Sequence, residues 1–184
     1  MRLLFVIAMV VGFSLFPVNA ISQESYTQTR TREIVASFNK EKYLVKEKYG
    51  VRREKYKKVV SEPANKPSIR DYAGVYEVPG PVFFINLQIG SDGNVHATGS
   101  EPAKDDPQQA RGFRLDDAKI AGPMLTATKV YDDGAKEKFE GVFINMTTFE
   151  SPTDKGVSAF GLGVVRHLES SGVAEDKIFY QLKK

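Results

Sequence analysis

His96 and His167 are the only imidazoles in this chain of 184 residues, which has no cysteine, so catalysis or metal binding would have to be built around them. A metal site would need both rings and a carboxylate converging in space, because a closed site takes about four N, O or S ligands. The two histidines fall on different expected strands, and no close His pair starts such a site. Nucleophilic catalysis would need one of them beside a serine such as Ser158, and the Gly-x-Ser-x-Gly turn that exposes a nucleophile is absent. Asp105-Asp106, Asp116-Asp117 and Asp132-Asp133 are adjacent carboxylates suited to turns in water. None is set across a cleft, as glycoside hydrolysis requires. The glycines have turn spacing and no phosphate-binding pattern. No catalytic residue, metal site or cofactor is therefore expected, and a non-enzymatic binding protein is the expected class.

The elements that would carry such a protein begin with an address. Arg2 supplies a positive start, Leu3 to Phe16 form an apolar run, Pro17 breaks it, and Val18-Asn19-Ala20 fits the small-residue pattern of a cleavage site. Residues 1–20 read as a signal peptide cut after Ala20, since the run is shorter than the roughly 20 residues a spanning helix needs. Without cysteine the chain has no disulfide and no lipidated cysteine at the cleavage point. A secreted or periplasmic bacterial protein fits these habits. With 41% hydrophobic and 27% charged residues, the remainder suffices for one good core.

Residues 21–30 form a polar leader expected to lack structure. From Thr31 the pattern changes: Ile34, Phe38, Val45, Tyr49, Tyr56 and Val59 recur at three-, four- and seven-residue steps, predicting a basic amphipathic helix over 31–60. Lys46, Arg53 and Lys57 line one margin of its stripe, and Lys48 and Lys55 the other. Residues 30–60 carry 11 Lys/Arg against 4 Glu, and residues 61–184 carry 14 basic against 18 acidic, an asymmetry concealed by the net charge of +3. The stripe could dock on the following domain with the lysines as its solvated rim. It could instead lie on anionic lipid or wall polymer. Tyr43, Tyr49 and Tyr56 could stack on bases, but no recognition motif accompanies them, and nucleic acid is not expected.

Ser61 to Ser68, with two prolines, reads as a linker, and residues 69–184 as a β domain. Asp132-Asp133-Gly134 predicts a three-residue hairpin loop that pairs Tyr131 with Ala135, Lys129 with Glu137, Ala127 with Phe139 and Leu125 with Gly141. Ser91-Asp92-Gly93 repeats this chemistry and pairs Ile89 with Val95, Leu87 with Ala97 and Ile85 with Gly99. Further strands are expected at 72–78, 113–116, 119–122, 157–168 and 176–182, with a loop over 101–110. Eight or nine short strands predict a mainly β fold, an antiparallel meander closing into a barrel because closure removes unpaired edges. Gly161 and Gly163 would relieve crowding where the strand bends or lies close beneath another element. Val142, Ile144 and Met146 oppose Phe143, so a second face needs a cover, for which the Ile34 to Val59 stripe is the candidate.

Asp71-Tyr72-Ala73-Gly74-Val75-Tyr76-Glu77 resembles the opening strand of lipocalin-like, or calycin, barrels, where Gly-x-aromatic begins the first strand. Tyr76 stands where that family usually has Trp, and Arg166 resembles the arginine that packs across this aromatic. The resemblance implies an apolar cavity lined by Phe83, Ile85, Leu87, Phe139 and Phe143. Read as residues alone, the same side chains fit a solid core better than a cavity, since eight-stranded barrels leave room for side chains or one small ligand. Two modes of action follow: a barrel that binds a small hydrophobic ligand inside or an envelope or protein partner outside, and an envelope-associated structural protein held to an anionic surface by its basic segment.

Overall fold

A computed structural model describes residues 18–48, 51–78, 83–103, 106, 109–167 and 174–182, with side chains other than those of 18–25, 42–48, 51–55, 165–167 and 174–178. Residues 1–17, most of the expected signal peptide, lie outside it. One helix, α1 (Val18–Phe38), precedes ten antiparallel strands: β1 (Lys40–Lys48), β2 (Val51–Pro63), β3 (Gly74–Glu77), β4 (Phe84–Ile89), β5 (Val95–Pro102), β6 (Ala110–Ala121), β7 (Met124–Tyr131), β8 (Lys136–Phe149), β9 (Val157–His167) and β10 (Ala174–Gln181).

Strands β3 to β10 close a barrel. Its order runs β8-β7-β6-β5-β4-β3-β10-β9, and β9 returns to β8. A closed eight-stranded antiparallel barrel is compatible with a lipocalin-like fold. Both hairpin registers follow their loop chemistry: Lys129 opposes Glu137 and Leu125 opposes Gly141, while Leu87 opposes Ala97 and Ile85 opposes Gly99. Gly134 and Gly93 adopt φ of 84° and 82°, the left-handed position of each loop. The strands expected at 113–116 and 119–122 are one strand, β6, interrupted by a register shift between Asp116 and Lys119. Asp117, at φ 54°, absorbs the extra residue.

The basic segment departs furthest from expectation. The helix ends at Phe38, the polar leader is part of it, and residues 40–48 and 51–63 form a β1–β2 ribbon instead of continuing the helix. Non-local pairing decides this. β8 is 14 residues long and β7 only 8, so β7 covers the β8 edge only as far as Val142. Beyond it, residues 144–149 would present unpaired backbone groups, and β2 supplies their partners from Pro63↔Ile144 to Lys58↔Phe149. Tyr43-Leu44-Val45 and Val59-Val60 suit strands by their β-branched and aromatic content, so pairing and propensity agree. The expected linker is partly strand too, and its remainder crosses one end of the barrel with Ala64 fully buried.

Two cores result. Inside the barrel lie Tyr72, Tyr76, Ile85, Leu87, Phe113, Leu125, Phe139, Phe143 and Leu162, among others. On the outer wall, Ile34, Val35 and Phe38 of α1 cover Val142, Ile144 and Met146 of β8, with Val59 at the margin. The second face of β8 therefore has the cover expected for it, given partly by the helix and partly by the ribbon. Each such buried side chain contributes roughly 1.5–3 kcal/mol. Gly163 makes the close approach possible: a Cβ there would lie 2.5 Å from Cε2 of Phe38.

Candidate functional site

The five residues expected to line a cavity do converge on the barrel interior, where they meet other side chains. Ile85 and Phe143 are fully buried, Leu87 and Phe139 nearly so, and Phe83 is half-buried against the same cluster. Tyr72 ends a short 3₁₀ turn, Ile69–Tyr72, whose start is capped by Ser68 and Asp71. Its ring stacks on Phe143 with centroids 4.1 Å apart, and Phe160 stacks on Phe143 at 6.3 Å. The Tyr72 hydroxyl donates to the Ala64 carbonyl at 2.6 Å and accepts from the Lys66 N–H at 3.0 Å. The 64–72 segment thus closes the end of the barrel that carries the β4–β5 and β8–β9 turns, here called the lower end.

Tyr76, the residue of the family resemblance, is fully buried and donates to the Tyr72 carbonyl. Burial, with a smaller contribution from Tyr72, pushes its phenol above the ordinary range. The Arg166 side chain is among those not described. A cleft of about 530 Å³ lies outside the interior, between the starts of β3 and the end of β4, with Val75, Asn86, Gln88 and Leu182 around it. Leu87 is the one member of the five that lines it.

Toward the upper end the interior becomes charged. Lys129, 5% exposed, places Nζ 2.7 Å from Glu101 Oε2 and 3.1 Å from Glu137 Oε1. The same ammonium lies over the rings of Phe113 and Tyr131, at 4.4 and 4.6 Å from their centroids. The Tyr131 hydroxyl sits 2.7 Å from Glu101 and 2.6 Å from Glu137, and its single proton can serve one of them at a time. Burial first, then these hydrogen bonds, push the Tyr131 phenol up. Arg111 also lies over the Tyr131 ring, 3.6 Å from its centroid, and pairs with Asp133. Such a cluster fills the upper interior and ties β5, β7 and β8 together through Glu101, Lys129, Tyr131 and Glu137.

On the outer wall Glu140 anchors α1. It accepts from the Tyr26 hydroxyl at 3.1 Å and Arg30 Nε at 3.0 Å, and Lys138 Nζ lies 2.7 Å away. Burial opposes its charge, yet the hydrogen bonds from Lys138, Arg30 and Tyr26 outweigh this and hold its pKa below the usual carboxylate value.

The three surface residues named from the sequence come together, though on a ribbon. Lys46 pairs directly with Arg53, and Lys57 pairs with Lys42. Directly opposed residues share a face, so all three stand on one side of the ribbon. The β2–β8 pairing stops at Lys58↔Phe149, and β2 runs on to Val51 with β1 beside it. At about 3.3 Å per residue the ribbon projects some 23 Å past the lower end. Helical reading grouped only part of this face. The alternation Lys40, Lys42, Leu44, Lys46, Lys48 is a period-two signal that would have found the rest.

His96 is exposed on β5 beside the lower-end turn, and His167 ends β9 at the upper end, so the two do not meet. Among the described residues no group of three or more His, Asp or Glu side chains is placed to hold a metal. Comparison with protein-family models, curated proteins and solved structures finds no match for the chain. Fold and surface are what define its class: a β-barrel compatible with a binding protein.

Proposed function

We propose that this is an exported, non-enzymatic binding protein whose filled barrel is a scaffold, and whose basic β1–β2 ribbon holds it to an anionic envelope surface. The observation that carries the reading is the register of that ribbon, which gathers the segment's positive charge on one projecting face. The stacked Tyr72, Phe143 and Phe160 rings favour a partner outside over an apolar ligand inside, because they occupy the space such a ligand would need. Export rests on the Arg2 to Ala20 pattern.

The test is binding of the mature chain to envelope material from its own host as salt is raised. Retention that weakens with salt, and is lost when Lys46, Arg53 and Lys57 are changed to Glu, supports the reading. Unchanged retention by the triple variant rejects it.

A further inference from the structure

We infer that the ribbon is a one-sided reader of an anionic lipid bilayer, meeting it through the face that contains Leu44. This rests on the anionic-surface reading and names its partner. The β1–β2 register divides the ribbon into two unlike faces. On one, β1 places Lys40, Lys42, Leu44, Lys46 and Lys48, while β2 places Val51, Arg53, Lys55, Lys57 and Val59. No acidic residue shares that face. On the other stand Glu41 opposite Lys58, Tyr43 opposite Tyr56, Val45 opposite Glu54 and Glu47 opposite Arg52. There cation and carboxylate oppose each other, and Lys58 Nζ lies 3.7 Å from Glu41.

Like charges directly opposite one another destabilise a strand pair, and the first face opposes Lys42 to Lys57 and Lys46 to Arg53. An anionic partner relieves that repulsion, so the arrangement costs stability in the free protein and contributes binding in the bound one. A bilayer suits it better than a polynucleotide. Leu44 and Val51 lie among the cations, where apolar groups can enter the headgroup boundary. Tyr43 and Tyr56, which could stack on bases, stand on the opposite face with Glu41 and Glu54. Among the described side chains, α1 meets this face at its base, where Val59 packs against the helix cluster, and β2 before Lys58 runs beyond its pairing with β8.

The chain has no tryptophan, so a single introduced Trp reports its own surroundings. Leu44→Trp and Val45→Trp place the reporter on opposite faces. With vesicles containing about a quarter phosphatidylglycerol in phosphatidylcholine, the Leu44→Trp emission should shift to the blue and the Val45→Trp emission should not. Reversing two charges on the cationic face, Lys46→Glu with Arg53→Glu, should lower vesicle affinity at least about a hundredfold. The same change in net charge on the other face, Arg52→Glu with Lys58→Glu, should lower it much less. Equal loss from both pairs, or a blue shift at position 45 alone, overturns the face assignment. Retention on an acidic polysaccharide without vesicle binding overturns the lipid partner and leaves the anionic-surface reading standing, whereas retention on single-stranded DNA alone overturns both. Binding to none of them overturns both.

Discussion

The carbonyl of Phe143 accepts the Ala64 N–H at 2.8 Å, while the N–H of Phe143 donates to the Pro123 carbonyl, also at 2.8 Å. The edge of β8 changes partner at this one residue, from the β6–β7 turn to the segment after β2. Its side chain meanwhile lies under Tyr72 inside the barrel. One position therefore joins ribbon, barrel wall and lower-end plug.

Phe143→Ala should accordingly cost about 3–5 kcal/mol, the range for removing a fully buried aromatic. Urea unfolding measures it. Phe143→Asp, which buries a charge without a partner, should abolish folding. A folded Phe143→Asp protein would mean that the interior is wetter than the Tyr72 stack implies.

Gly163→Val should push Phe38 out of its seat and loosen α1 without opening the barrel, because the added atoms meet the ring and not the interior. A loss of about 1–3 kcal/mol is expected for overpacking. Limited proteolysis within residues 18–38 would show the helix released, with the remaining β domain resistant.

Docking of α1 should also depend on pH. Glu140 has a folded pKa below the ordinary value of 4.5, so its contribution is fully present above that value. It is lost as pH falls through the lower folded pKa, when the carboxyl no longer holds Arg30, Lys138 and Tyr26 together as an anion. Hydrogen exchange of α1 amides should rise across that acid range in the parent protein. In Glu140→Gln the exchange should be raised already at neutral pH and change little with acid.

The hairpins were legible because their cause is local. Asp-Gly loops set the pairings of Lys129 with Glu137 and of Ile89 with Val95, and no distant contact could shift them without turning apolar faces outward. Even the charged cluster had a signal, since that register set Lys129 opposite Glu137 on the apolar face. Glu101 could not be joined to it, because its approach depends on the β5–β6–β7 pairing. Residues 40–59 misled because Val45, Tyr56 and Val59 satisfy helical spacing while the alternating lysines satisfy strand spacing. The open edge of β8, more than 80 residues later in the chain, decided between them.

Lys129→Met should be among the most damaging single changes, by about 3–5 kcal/mol, since it removes the buried cation that Glu101 and Glu137 share. Adding Glu101→Gln to that variant should recover part of the loss. A double-mutant cycle by chemical unfolding reads the coupling. Additive losses would contradict the buried network.

Whether the barrel holds anything is read most directly by native mass spectrometry of the mature protein purified from its own host, compared with its denatured mass. A filled barrel with its partner on the outside predicts a clean unliganded mass under both conditions. A discrete extra mass that disappears on denaturation would contradict it and make the interior the binding site.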